Sequence, residues 1–340
     1  MQLLMREIAL LYNTFCRGEQ NQLVPLTLQY KDYAAWQHQQ LTGPMHHYHQ
    51  EYWHKQFAGE LPQLNLPTDF PRPEVKINKA DYLSYRLGEM VSKELNVLSS
   101  NHGASLFMTL LAALNIVLYK QTGQNDLVIG SPIAGRPHLN LEDQVGNYLN
   151  TVALRTKLNG NFSFSYLLEC VKEIALGAYT HEVYPFDLLI STLGVKRQQN
   201  RNPLFDVGFS FHNQNGVTSY GDQPLLMGSN RISFQDFDYV DKDSALSEVK
   251  TDLWFHGIEY DNALSLTICY NTSLFSETYA KKIMDQFIDL LLEVKNDPNK
   301  SIDSLLDVLQ KKQNLIKRDS QKNLKDKNIK SLLNAIDALH

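Results

Sequence analysis

The stretch that most constrains this chain runs from Ile129 to Arg155, IGSPIAGRPHLNLEDQVGNYLNTVALR. It continues a short apolar run, Asp126-Leu127-Val128-Ile129, that reads as a strand. Pro132 has no N–H to give a ladder, and Gly130 and Gly135 admit backbone angles that other residues resist, so the spacing predicts that the strand breaks here. A second strand is predicted from Tyr148 to Leu158, rich in Thr, Val and Leu. Between them lies a loop that carries Arg136 and His138 and leads to Asn150. Loops of this kind present polar groups from a rigid sheet to a ligand; the plainer reading is a long crossover made of turn residues.

Around this stretch the chain alternates helical and strand-like patterns. Leu4, Ile8, Leu11 and Phe15 recur at helical spacing, with Gly18 placed to stop the helix. Further helices are predicted over 32–41 and 45–57, the latter with Met45, Tyr48 and Tyr52 on one face. His46, His47, His49 and His54 also fall there, but HExxH is absent and no third ligand follows at a known spacing. A solvated polar face is the reading for these histidines. Pro62, Pro67, Pro71 and Pro73 bar helix and predict an extended segment, the best candidate for a boundary between lobes.

Tyr82 to Leu87 alternates as a half-buried strand. Ser105 can cap, and Gly123 can close, a helix that is apolar on nearly all sides and so lies buried, against a sheet. Helices follow at Ser165–Ala178 and Phe186–Leu193, and then a strand on which Phe205, Val207, Phe209 and Phe211 share a face. Val249–Phe255 and Leu264–Tyr270 read as a hairpin turning at Asp261-Asn262, before a long helix capped by Ser276. Interleaved helices and strands make the class α/β, and the hairpin makes the sheet mixed.

Composition narrows the function classes. An apolar fraction of 43% and a charged fraction of 20% describe a globular chain, and a net charge of −5 offers no field for nucleic acid or an anionic membrane. Cys16, Cys170 and Cys269 are odd in number, with no CxxC, which suits buried thiols in a reducing cytoplasm. No apolar run reaches a bilayer span, and no leader pattern opens the chain. The expectation is a cytoplasmic protein without nucleic-acid or membrane partners. Beyond Gln310 lysines dominate, and the short amphipathic patch Leu332–Leu339 ends the chain. That segment is read as a solvated tail, with a docking helix as the alternative.

Four stretches together carry a family resemblance. Ile129-Gly130-Ser131-Pro132-Ile133-Ala134-Gly135-Arg136 with Val145-Gly146-Asn147-Tyr148-Leu149-Asn150-Thr151 resembles the fifth core motif of nonribosomal peptide synthetase condensation domains. Tyr30-Lys31-Asp32-Tyr33-Ala34-Ala35-Trp36 resembles the fourth, His181-Glu182-Val183-Tyr184-Pro185-Phe186-Asp187 the sixth, and Asn200-Arg201-Asn202-Pro203-Leu204-Phe205-Asp206-Val207 the seventh. They occur in the family's order and span the chain from Met1 to about Leu309.

The resemblance implies a chloramphenicol-acetyltransferase-like fold, and an amide-forming reaction between two thioesters carried on the phosphopantetheine of peptidyl carrier proteins. No cofactor would bind this chain directly. The family's His-His-x-x-x-Asp-Gly signature is absent: His46-His47 runs on into Tyr48-His49-Gln50-Glu51. The expected organisation is closing helices of a first lobe (1–60), a proline-rich linker (61–80), a complete second lobe (81–309) and a basic tail (310–340). Partners would be carrier proteins, the missing first lobe and neighbouring synthetase modules.

No catalytic residue is assigned, and isolated activity is not expected. Ser131, Gly135, Arg136, Gly146, Asn150, Thr151, His181 and Arg201 are the substrate-side candidates by resemblance. Ser131 and Gly135 would let a pantetheine arm pass close to backbone, while Arg136 and Arg201 would meet phosphate or hold loops. Asn150 would line the tunnel that the resemblance places between two lobes, or satisfy backbone groups; His181 and Arg201 are read first as lobe-building, Arg201 through Asp206. The other functional class is a noncatalytic module that docks a carrier or a neighbouring domain.

Overall fold

Six strands make one mixed sheet: β1 (Ala80–Leu87), β2 (Asp126–Ile133), β3 (Asn150–Lys157), β4 (Val207–Asn213), β5 (Leu253–Tyr260) and β6 (Ala263–Asn271). Across the sheet the order is β1-β6-β5-β4-β2-β3. The β5–β4 and β4–β2 pairs are parallel, and the remaining pairs are antiparallel. This is a computed structural model, and it describes residues 2–213, 248–260, 262–315 and 318, with the backbone of two-residue strands between Ser219 and Arg231. The tail beyond 318 lies outside the described residues, as does Asp261 of the hairpin turn. Its neighbour Asn262 holds the left-handed conformation, φ 57°, that a tight turn needs.

The helices are α1 (Gln2–Cys16), α2 (Tyr30–Thr42), α3 (Met45–Gln56), α4 (Glu89–Asn101), α5 (Leu106–Thr122), α6 (Phe164–Thr180), α7 (Phe186–Thr192) and α8 (Glu277–Asn296), with a further helix over 302–315. The all-round apolar α5 is the centre of the core: Leu110, Leu111, Leu114, Ile116, Val117 and Leu118 are wholly buried. Ser105 caps it by accepting the Met108 N–H, and Gly123 closes it at φ 68°. Phe107 stacks on Phe209 of β4 at 5.2 Å, and Phe287 of α8 meets Phe255 of β5 edge-on at 5.9 Å. The sheet is therefore covered by α5 and α8, as the sequence pattern predicts. No single helix among the described residues is long and apolar enough to cross a membrane.

Two expectations need correction. The first strand does not break at Gly130–Pro132, because β2 continues to Ile133 with Pro132 opposite Thr151. Its parallel pairing with β4 is confined to Ile129–Val207 and Gly130–Gly208. Beyond that point β2 has β3 alone beside it among the described residues, and a proline is tolerated on such an edge. The cysteines are unpaired, as expected, but Cys16 is exposed, and among them Cys269 alone is buried.

The proline-rich segment is extended and packed. Leu64 and Leu66 enter the same core cluster as Trp53 and Phe57 at the end of α3. Asp69 receives hydrogen bonds from Ser276 N at 2.9 Å and Ser276 Oγ at 2.6 Å, which fastens the segment to the start of α8. On α1, Ala9 and Thr14 are buried, whereas Leu4, Ile8 and Phe15 are 41%, 42% and 61% exposed.

Candidate functional site

The loop between β2 and β3 is shaped around Tyr148. Gly135 sits at φ 63°, and a Cβ there would come within 1.9 Å of the Tyr148 carbonyl oxygen, so no larger residue fits this turn. The Arg136 guanidinium lies 4.2 Å from the centre of the Tyr148 ring and donates to the Leu141 carbonyl. From α2, Tyr30 meets Tyr148 edge-on at 5.1 Å and Tyr33 meets it at 4.6 Å. A Cβ on Gly146 would be 2.5 Å from the Tyr30 ring, and the Tyr30 hydroxyl donates to the Asn147 carbonyl at 3.0 Å. Tyr33, Leu141 and Tyr148 form a small apolar cluster of their own.

Asn150, at the start of β3, clamps the segment before α7. Its Nδ2 donates to the carbonyls of Glu182 and Tyr184 at 2.8 and 2.9 Å. Its Oδ1 accepts from Thr151 N at 2.8 Å and Phe186 N at 3.2 Å. A carboxamide has two donors and two acceptor lone pairs, so its capacity is taken up inside the chain. Asn150 therefore acts by positioning Glu182 and its neighbours.

His181 is packed within α3 and its own loop. It stacks on Tyr52 at 4.0 Å with the rings 3° apart, and its carbonyl accepts from Trp53 Nε1 at 3.2 Å. Its Nδ1 lies 3.0 Å from Nδ1 of His49. Burial, and then the charge of His49, bring the His181 pKa down to about 4; burial followed by the charge of His46 lowers that of His49. The solvated-face reading fails for His49, which is buried because its partner comes from a distant part of the chain.

The last motif supports the sheet from another side. A Cβ at Gly130 would meet the Phe205 ring at 2.2 Å, and Phe205 packs against Phe186 at 5.4 Å. Leu204, just before it, is held at φ 67°, which is uncommon for a residue with a branched side chain. Arg201 donates to Asp206 at 2.6 Å and to the Leu64 carbonyl at 2.7 Å. Arg72 grips Asp252 through two hydrogen bonds, one of 2.9 Å to Oδ1. Burial and the nearby Asp252 raise the Asp206 pKa, against the pull of Arg201 and Arg72.

These elements enclose a cleft of about 340 Å³, lined by Tyr33 and Trp36 of α2, Met45, Tyr48 and His49 of α3, Gly135 and Tyr148 of the loop, Asn150, Tyr179 and Glu182. That volume falls in the range of small-molecule sites. Of the sequence candidates, Gly135 and Asn150 line it, Arg136 and Gly146 fix its Tyr148 wall, and Thr151 follows Asn150 on β3. His181 lies behind it, against His49. Ser131 is buried in β2, and Arg201 borders a separate hollow of about 220 Å³. Sequence does not single out Tyr33, Trp36 and Glu182 although they stand inside the motifs, and it misses Tyr48, His49 and Tyr179 as site residues. The helical spacing of Tyr48 and Tyr52 is the available signal for the α3 wall.

Likeness in shape defines the class first. The X-domain from teicoplanin biosynthesis superposes with a TM-score of 0.74 at 24% identity, covering 89% of this chain and 67% of that one. The first condensation domain of the calcium-dependent antibiotic synthetase gives 0.67 at 18% identity, covering 89% and 62%. The fold is thus the chloramphenicol-acetyltransferase-like fold of condensation domains. The condensation domain family model matches residues 1–316, and the chain belongs to that family.

Surfactin synthase subunit 1 of Bacillus subtilis (strain 168) is 36% identical over 301 residues, which cover 88% of this chain and 8% of that protein. Tyrocidine synthase 3 of Brevibacillus parabrevis is 35% identical over 301 residues, covering 88% and 4%. The chain therefore spans less than a tenth of these relatives.

Proposed function

We propose that this chain serves amide-bond formation between two carrier-bound thioesters, as part of a nonribosomal peptide synthetase condensation domain. The acceptor amine nitrogen attacks the donor thioester carbonyl, the carbon–sulfur bond breaks, and the donor's phosphopantetheine leaves as thiol while the amine loses a proton. The observation that carries this reading is the meeting of three family motifs at one cleft. Tyr33 and Trp36, Gly135 with Tyr148 and Asn150, and Glu182 all line it, although they are far apart in sequence.

The chain's own part in the reaction is placement. Gly135 brings backbone to the cleft wall, Asn150 fixes the loop carrying Glu182, and Arg136 and Gly146 lock Tyr148. Thr151, Ser131 and His181 support these surfaces from the sheet and the core, and Arg201 holds Asp206 and the Leu64 carbonyl beside the separate hollow. Peptidyl carrier proteins bring the substrates, each on a phosphopantetheine arm, and neighbouring synthetase modules supply the carriers.

Neither of the histidines in these motifs and this loop is placed as the general base. His181 is buried with its pKa held down to about 4, and His138 is engaged at Nδ1 by the Asn140 N–H at 3.2 Å. The family's His-His-x-x-x-Asp-Gly is absent from the 340 residues, and a missing general base costs about 10²–10⁴ in rate. The 340-residue chain by itself is therefore inactive in this reading. The test is mass spectrometry of carrier-bound product after mixing donor- and acceptor-loaded carriers with the chain. Product at the carrier-only level is expected. Turnover above that level, lost on His138→Ala or His181→Ala, would show that the chain carries a base of its own.

A further inference from the structure

The cleft has a chemistry that the condensation reading does not itself require. Its walls are aromatic on several sides, from Tyr33, Trp36, Tyr48, Tyr148 and Tyr179, and one acidic residue, Glu182, stands among them. Among the described residues no lysine or arginine lines it. Elsewhere among the described residues buried or half-buried carboxylates are compensated: Asp126 has Arg155, Asp252 has Arg72, Asp206 has Arg201, and Glu259 accepts hydrogen bonds from Ser92, Asn96 and Asn213. The partly exposed Glu182 carboxylate has neither an ion pair nor a hydrogen bond among the described residues.

The backbone from which it projects is held, because Asn150 donates to the Glu182 main-chain carbonyl at 2.8 Å. Burial raises the Glu182 pKa, and the carboxylate's charge in turn helps raise those of Tyr33 and Tyr179, so it acts on rings from two elements. His49, also at the wall, is kept neutral by burial and adds no competing positive charge.

We propose that this cleft binds a small organic cation, an alkylammonium group whose charge meets Glu182 and whose methylenes lie on the tyrosine and tryptophan rings. Aromatic faces attract cations through their quadrupole, and a partly desolvated carboxylate without a partner gains most from an ion that fits beside it. This names a ligand class for the cleft described above, and it rests on the condensation reading only for where such a group comes from. A substrate that carries a primary amine at the end of an aliphatic chain meets the requirement.

The test is a ligand-observed NMR titration of the 340-residue chain at low ionic strength with n-butylammonium chloride, 1-butanol and sodium butyrate. The ammonium is expected to bind about tenfold more tightly than the alcohol, in keeping with a charge-assisted contact, and butyrate more weakly than either. Glu182→Gln should bring the ammonium down to the alcohol's affinity and leave the alcohol unchanged. Glu182→Asp, which keeps the charge, should retain a preference for the ammonium. Tyr48→Leu, on a half-exposed ring, should weaken both ligands. Equal binding of ammonium and alcohol by the native chain, or ammonium binding untouched by a folded Glu182→Gln, would overturn the proposal. The titrations use no carrier and no thioester, so ammonium selectivity and amide formation succeed or fail separately.

Discussion

The Asn150 side chain donates to the Glu182 carbonyl at 2.8 Å, and this bond joins the start of β3 to the loop that follows α6. The same carboxamide also receives the Phe186 N–H and donates to the Tyr184 carbonyl. Asn150→Ala leaves these backbone groups without partners. Stability should fall by about 1–3 kcal/mol, the cost of unsatisfied buried polar groups, measured by urea unfolding. A loss below the noise would mean that water replaces the carboxamide without penalty.

Gly135 and Gly123 separate strain from collision. Both hold positive φ, at 63° and 68°, but a Cβ at Gly123 meets nothing within 4 Å, whereas one at Gly135 strikes the Tyr148 carbonyl. Gly123→Ala should cost about 1–2 kcal/mol, from the left-handed conformation alone. Gly135→Ala should cost clearly more in the same denaturation experiment, and should lower ligand binding at the cleft. Equal losses at the two positions would remove the close approach as an explanation.

Arg155 links three elements. It forms two hydrogen bonds with Asp126, at 2.9 and 2.7 Å, and donates to the carbonyls of Gln56, Ala58 and Glu60 at the end of α3 and just beyond it. Removing one side of a fully buried pair costs about 3–5 kcal/mol, and because Asp126 keeps 27% exposure the loss here is set at or below the lower end, about 2–3 kcal/mol. Arg155→Ala should show a loss of that order by chemical denaturation. A milder one would place the anchoring of α3 with Trp53 and Phe57 instead.

The buried histidine pair sets a pH dependence. The His181 pKa is lowered from 6.5 to about 4, so between those values the unfolded chain takes up a proton that the folded chain refuses. This contribution to stability is complete above about pH 6.5 and is lost as pH falls towards 4. His256, also brought down to about 4 by burial, acts in the same window. The comparison is therefore the slope of melting temperature against pH: His181→Gln should flatten it between pH 6.5 and 4 while leaving the His256 share. Parallel slopes for the native chain and the variant would show that His181 titrates normally.

What sequence shows, and what it hides, follows from range. The caps on α5 and α8, at Ser105 and Ser276, are local signals, and both helices form where periodicity places them. The motif residues are legible one by one, but the packing of Tyr30 on Gly146 is a contact between two motifs that neither states alone. His49 reads as solvated because four histidines crowd one polar helix, and only the fold brings His181 to its ring. Pro132 reads as a strand end, since nothing local reveals that β2 loses its parallel neighbour after Gly130. Glu182 carries no mark in the sequence beside His181, because what distinguishes it is a carboxylate with neither ion pair nor hydrogen bond among the described residues, which only the folded chain reveals.

The most direct measurement replaces the matching part of an amide-forming condensation domain with residues 1–309 of this chain and follows carrier-bound product by mass spectrometry. The relative then supplies the part that carries His-His-x-x-x-Asp-Gly, and this sequence supplies the remainder. Amide product from donor- and acceptor-loaded carriers, abolished when the second His of that signature is changed to Ala, is the expected result. A chimera that melts cooperatively and engages both carriers, yet forms no amide, would contradict a role for this chain in condensation.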